Sequence, residues 1–179
     1  MQPYKIVEGA FLYFLTFSVV DWLPVFMSAQ SCEIFTSSLN FCHETKHLRI
    51  NAYVIMTSHV HLIVFDEDFD SNRLKKTLAD LRKYTGRKMI EYSIACLSSC
   101  FTDVFQHSAG KDRAYRFWQA YTHPEAIYTQ KFWQQKIDYI HENPVRKGLV
   151  TEASAWRFSS AAAWLENGTS DVFLSAVTW

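Results

Sequence analysis

Two small groups of residues have the types and spacing to do chemistry. The first is His59-Val60-His61, set in a β-forming run from Tyr53 to Val64. On a strand, positions i and i+2 point to one face, so both imidazoles project together while Val60 packs inward. Two same-side histidines are two potential metal ligands, and the same pattern also serves as hydrogen-bonded surface histidines. The second is the stretch Gln135-Lys136-Ile137-Asp138-Tyr139-Ile140-His141-Glu142-Asn143-Pro144-Val145. On a helix, Tyr139 and Asn143 place a phenol and an amide on one face a turn apart, with Ile137 and Ile140 turned toward the core. A helical tyrosine ahead of a proline is also a common packing residue with a tethered hydroxyl. Cys32, Cys42, Cys96 and Cys100 form no Cys-x-x-Cys pair and no four-ligand Cys/His pattern, so they read as ordinary reduced thiols.

The elements that must position these groups are legible in outline. Residues 11–20 read as a first strand closed by Asp21-Trp22-Leu23-Pro24. Residues 28–46 have helical spacing, with Ser28 or Ser31 as the cap. Residues 49–56 and 60–65 read as hairpin strands joined through Thr57-Ser58. A basic helix spans 73–91, the pattern weakens over 93–111 into a helix end and flexible loop, and 115–121 reads as a fourth strand. Residues 127–142 are strongly helical and stop near Asn143-Pro144. The tail is poor in charge and carries Trp156, Phe158, Trp164 and Trp179, which should pack back on the body.

The order strand, helix, strand, strand, helix, strand, helix is that of an α+β fold, the ferredoxin-like split βαβ sandwich, with an antiparallel sheet and helices packed on one face. Its other face is expected to be open to a ligand. The 179 residues, 49% hydrophobic and 20% charged, form one domain over 1–179 with a core from about 10 to 161. Disorder and a need for disulfides are excluded on that composition. The apolar run 10–20 is about half of the roughly 20 residues of a membrane span, and Asp21 closes it. Only Lys5 precedes it and Glu8 adjoins it, so a buried strand fits better than a signal peptide, and a cytoplasmic protein is expected.

Eighteen Lys and Arg balance eighteen Asp and Glu, which at first argues against a nucleic-acid binder. By position, net charge is −5 over residues 1–72, +7 over 73–157 and −2 over 158–179. Arg73, Lys75, Lys76, Arg82, Lys83, Arg87 and Lys88 face one acid, Asp80. Aromatic residues interleave with further basic ones at Tyr115, Arg116, Phe117, Trp118 and Tyr121, a pairing that suits phosphates and unpaired bases. Phe117 and Trp118 are equally suited to the core.

Taken together, these residues resemble the single-tyrosine HUH transposases, and most closely the REP-associated tyrosine transposase branch of the Transposase 17 family. The resemblance rests on Met56-Thr57-Ser58-His59-Val60-His61-Leu62, on Phe117-Trp118-Gln119 with His123-Pro124, on residues 139–145 with Gly148-Leu149-Val150, and on Trp156 with Ser159-Ser160-Ala161. Family members commonly carry Pro-Asn before the first histidine, where this chain has Thr57-Ser58.

The resemblance implies a single-strand DNA nickase and strand-transferase acting on imperfect hairpins. His59, His61 and Asn143 would hold a divalent ion, Mg²⁺ or Mn²⁺, weakly in the absence of DNA because the donors are neutral. Tyr139 would attack the scissile phosphate to give a 5′-phosphotyrosine and a free 3′-hydroxyl. A phenol of pKa near 10 needs a proton acceptor, and the sequence leaves His141, Glu142 and metal-bound water as alternatives. Arg73, Lys75, Lys76, Arg82, Lys83, Arg87, Lys88, Arg113, Arg116, Arg146 and Lys147 would contact DNA phosphates. A monomer is favoured over a dimer. A non-catalytic ferredoxin-like nucleic-acid-binding module is the alternative, and a metal hydrolase without a covalent intermediate is a third.

Overall fold

The elements run β1 (Leu12–Ser18), α1 (Ala29–Thr45), β2 (Leu48–Ile55), β3 (His59–Asp66), α2 (Ser71–Cys96), α3 (Ser99–His107), β4 (Glu125–Ile127), α4 (Gln130–Arg146) and α5 (Ala161–Leu165). This is a computed structural model that describes Ile6, residues 9–111 and residues 113–178. Lys5, Glu8 and Trp179, used in reading the termini, lie outside the described residues. The sheet has the order β2-β3-β1-β4, with each neighbouring pair antiparallel. That is the α+β, ferredoxin-like order expected from the sequence. No helix among the described residues is long and apolar enough to cross a membrane.

Helix ends follow local chemistry. At the start of α1, Ser28 Oγ accepts from the Ser31 N–H at 3.1 Å and Ser31 Oγ accepts from the Ser28 N–H at 3.3 Å, a reciprocal cap. Asp70 accepts from the N–H groups of Asn72 and Arg73 to open α2, and Thr129 accepts from Phe132 to open α4.

The strand alternation divides the core in two. Tyr13, Leu15 and Phe17 of β1 and Val60, Leu62 and Val64 of β3 pack with Phe35 and Leu39 of α1 and with Leu74, Leu78 and Leu81 of α2. Leu12 and Phe14 of β1, Ala52 and Val54 of β2 and Ile63 of β3 pack instead with Trp133, Ile137 and Ile140 of α4. Helices α1 and α2 thus share one face as expected. The apolar stripe of α4 needs cover of its own and finds it on the opposite face, so the face expected to be open is partly roofed.

Three expectations are corrected. Residues 115–121 are not a strand: β1 ends at Ser18, the chain turns at once, and only one antiparallel bridge, Val19 to Trp118, forms there. The fourth strand is β4, which pairs with Leu12 to Phe14 of β1. Residues 93–111 hold the end of α2 and a further helix, α3, rather than a loop.

Finally, α4 begins later than 127 and runs through Pro144 to Arg146. Proline in the last turn forfeits a single backbone donation, and the end is closed instead by Gly148, at φ +68. Its N–H donates to Val145 O and the Leu149 N–H to Pro144 O, each at 2.9 Å, the paired bonds of a Schellman stop.

Candidate active site

Beneath α4, the β1–β3 pairing sets Thr16 opposite His61 and Ser18 opposite His59. Both histidines lie on the sheet face that α4 covers, because Val60 between them belongs to the other core. Their ring centroids are 4.7 Å apart. The His61 ring stacks on Phe14 at 5.3 Å and meets the Tyr139 ring edge-on at 5.1 Å. The phenol is thereby brought to the histidine pair, as its helical position required, while 37% exposure leaves Tyr139 open to a substrate.

The imidazole nitrogens divide their work. Thr16 Oγ1 lies 2.8 Å from His61 Nδ1, and Ser58 Oγ lies 3.2 Å from His59 Nδ1. His61 Nε2 is buried and has no hydrogen-bond partner. A buried ring nitrogen without a partner costs free energy unless something fills the position. Burial pushes the His59 pKa down to about 4, with a smaller push from the Lys147 ammonium. Burial likewise takes His61 down to about 3, helped by His59 and Lys136. Both rings are therefore neutral at physiological pH, the form that ligates a metal.

Asn143 is buried on α4, one helical turn beyond Tyr139. It lies between Tyr139, which touches His61, and Lys147, whose charge reaches His59. No three His, Cys, Asp or Glu side chains cluster for a metal among the described residues. The donors on offer are two neutral imidazoles and the Asn143 amide, which fit a weakly held divalent ion that completes its shell with waters and phosphate oxygens.

Of the alternatives for a proton acceptor, His141 is turned away from the phenol. It is buried, with Nε2 2.9 Å from Ser160 Oγ, and ties α4 to the C-terminal segment. Glu142 is exposed on the helix.

The proposed phosphate contacts separate into two groups. Arg146 and Lys147 are at the site, the Arg146 guanidinium 5.7 Å from the Tyr139 ring centroid. The α2 residues lie across the sheet, since α2 packs on the opposite face. There Arg73 is committed to Asp66 and Asp68. Lys88 pairs with Glu91 at 2.7 Å, and Arg87 lies near the same carboxylate. Arg82 lies over the Phe17 ring and donates to Gln119 O at 2.6 Å. Lys75, Lys76 and Lys83 are exposed.

Arg82, Lys83, Arg87, Arg113 and Arg116 line a groove of about 770 Å³ between α2 and residues 113–120, where the Nε atoms of Arg82 and Arg116 are buried without a partner. Phe117 and Trp118 form its floor as core residues, so they offer no free face for a base.

Sequence reasoning missed Phe14, Thr16, Trp22 and Lys136. Trp22 meets His59 edge-on at 5.4 Å, and Lys136 Nζ sits 4.2 Å above Phe14 while pairing with Glu125 at 2.9 Å. Only the β1–β3 register reveals Thr16, and no local pattern encodes that register.

No family model matches the chain. A REP-associated tyrosine transposase of Escherichia coli (strain K12) is 28% identical over 117 residues, 62% of this chain and 53% of the relative. The chain thus aligns with about half the length of that curated relative. A solved structure described as a REP-associated tyrosine transposase bound to a REP hairpin superposes with a TM-score of 0.59 at 21% identity, covering 99% of this chain and 92% of that one. At that identity the superposition speaks for the fold. In motif order, in sequence and in fold, this chain is similar to the REP-associated tyrosine transposases, as its motifs alone implied.

Proposed function

We propose that this chain is a metal-dependent single-strand DNA endonuclease and strand-transferase that cleaves beside hairpins through a 5′-phosphotyrosine on Tyr139. One observation carries the reading: His61 holds a buried, unpartnered Nε2 in a ring that touches the Tyr139 ring, with His59 alongside. By contrast, the buried His141 has its Nε2 2.9 Å from Ser160 Oγ.

His59, His61 and Asn143 would hold Mg²⁺ or Mn²⁺. When bound, the ion polarises the scissile phosphate and offsets its developing charge. Tyr139 Oη forms the new bond to phosphorus, the P–O3′ bond breaks, and the leaving 3′ oxygen ends as a hydroxyl. The phosphodiester energy is kept in the phosphotyrosine, so a 3′-hydroxyl can rejoin the strand without ATP. Arg146, lying over the phenol ring, supplies a cation beside the transferring phosphate. Phe14 fixes His61 from below, which holds the ring and the phenol in one geometry.

Hairpin DNA is the substrate that this reading assigns to the chain, consistent with the REP hairpin named for the structural neighbour. The groove between α2 and residues 113–120 supplies backbone contacts away from the chemistry. Such a substrate places the work in the bacterial cytoplasm or nucleoid.

The test is a 3′-labelled hairpin oligonucleotide with a single-stranded flank, incubated with the protein and Mn²⁺, because the 5′-phosphotyrosine retains the fragment on the 3′ side of the break. A denaturation-resistant protein–DNA adduct is expected, and Tyr139→Phe abolishes it. Strand cleavage by the wild type with no adduct would establish a hydrolase instead, and hairpin binding without cleavage would establish a binding module.

A further inference from the structure

Next to the histidine pair the chain makes a costly turn. Asp21 and Trp22 have φ of 51° and 55°, two successive non-glycine residues in the left-handed region. Left-handed backbone is uncommon for any side chain with a Cβ and rarer for a bulky one. The turn is clamped from outside: the Val19 N–H donates to Ser58 O and the Val20 N–H to Phe117 O, both at 2.9 Å, while the Trp22 N–H donates to Val19 O at 3.1 Å. Strain that neighbours hold in place is a feature of working sites.

The outcome of that clamp is the position of one indole. Trp22 is 56% exposed, so packing does not account for it. It meets the His59 ring in a T-shaped contact at 5.4 Å, His59 meets His61 at 4.7 Å, and His61 meets Tyr139 at 5.1 Å. An open aromatic surface therefore stands at the end of a row of rings that leads to the phenol.

We infer that Trp22 is a stacking platform for an unpaired base of the nucleotide next to the scissile phosphate. This rests on the single-strand DNA reading above. Indole stacks any base and adds affinity without demanding a sequence. Phe117 and Trp118 are core residues, whereas more than half of the Trp22 surface is open to a base. The strained turn keeps the indole out of the core and beside the histidines, which orders the strand before cleavage.

The experiment uses dye-labelled octathymidylate and the matching all-abasic octamer, without metal, and with Tyr139→Phe in the background so that no cleavage intervenes. Octathymidylate is expected to quench indole emission and to bind about tenfold more tightly than the abasic strand, an effect on the order of a single stacked base. Trp22→Ala should lose the quench and bind both strands alike, while Trp22→Phe should keep most of the base-dependent affinity by anisotropy.

Trp22→Gly relieves the left-handed backbone, so it should lose the same affinity while melting at or above the wild-type temperature. Base-dependent affinity unchanged in Trp22→Ala and Trp22→Gly overturns the platform. A Trp22→Gly protein that melts well below wild type also overturns it, because the indole is then a packing residue. Absence of the Tyr139 adduct in the cleavage experiment would sink the nuclease reading and leave this measurement standing.

Discussion

Thr16 and His61 face each other across the β1–β3 pair, with Oγ1 2.8 Å from Nδ1, and that contact leaves the opposite ring nitrogen, Nε2, buried and unpartnered. With Nδ1–H donating to the threonine oxygen, the Nε2 lone pair is free for a cation. A hydroxyl either donates or accepts, so the Thr16 contact fixes the ring orientation, and a cation at Nε2 would select the tautomer in which Nδ1–H donates.

Thr16→Val keeps the shape and removes the acceptor, so Mn²⁺ affinity should fall by roughly 10- to 100-fold. Thr16→Ser should restore most of it. Calorimetry with Mn²⁺ alone reads the effect without reference to cleavage, and equal affinities in the three proteins would mean that Thr16 does not tune His61.

The sheet stands between the α2 cations and Tyr139, so charge removal on the two sides should have different signatures. Lys75, Lys76 and Lys83 are exposed, and each that touches a phosphate should lower the slope of log affinity against log salt by about one when changed to alanine, with adduct yield at saturating DNA unchanged. Arg146→Ala should instead lower the adduct yield, since this cation lies over the phenol. Equal effects of both kinds of variant on saturated yield would argue that DNA meets a single surface.

Asp66 and Arg73 give the fold an acid-sensitive joint. Burial alone would raise the Asp66 carboxyl, but the Arg73 guanidinium and the N–H groups of Asp70 and Asp68 outweigh it and hold the pKa below its ordinary value. A carboxyl lowered on folding stabilises the protein fully above its unfolded pKa of about 3.9. That contribution is lost as pH falls through the lower, folded value. Asp66→Asn should therefore lower the urea midpoint at pH 7, and the gap to wild type should close below about pH 4. A gap that stays constant from pH 7 to pH 2 would show that the carboxylate charge is not what holds β3 to α2.

How far the sequence can be read is clear from these residues. His59, His61 and Tyr139 were legible because period-two and period-four spacing are local properties that survive folding. The order of the first strands and helices followed for the same reason. What escaped were relations between distant segments. Thr16 and Trp22 acquire meaning only through strand register and a strained turn, and neither has a local signature. Residues 115–121 have the composition of a strand, yet β1 ends where their partner would have to continue. The basic residues of α2 and Tyr139 belong to one net-positive stretch of sequence, yet α2 and α4 cover opposite faces of the sheet. Amphipathic spacing says that a helix has a buried side and does not say which face of a sheet receives it.

The same limit applies at Pro144, where the proline signals a helix end that α4 passes by two residues. The helix end is instead defined by Gly148, whose left-handed backbone lets its own N–H and that of Leu149 return to Val145 and Pro144. A Cβ at Gly148 would touch nothing within 4 Å, so the cost of Gly148→Ala is conformational alone, about 1 kcal/mol. Gly148→Asn should cost less, because asparagine tolerates this region better. Urea denaturation orders the three proteins as glycine, asparagine, alanine in falling stability. The last turn also leads to Lys147, whose charge reaches His59, and amide hydrogen exchange at Leu149 should quicken in Gly148→Ala ahead of exchange in β3. Alanine as stable as glycine, with Leu149 exchange unchanged, would place the end of the helix under the control of Pro144 after all.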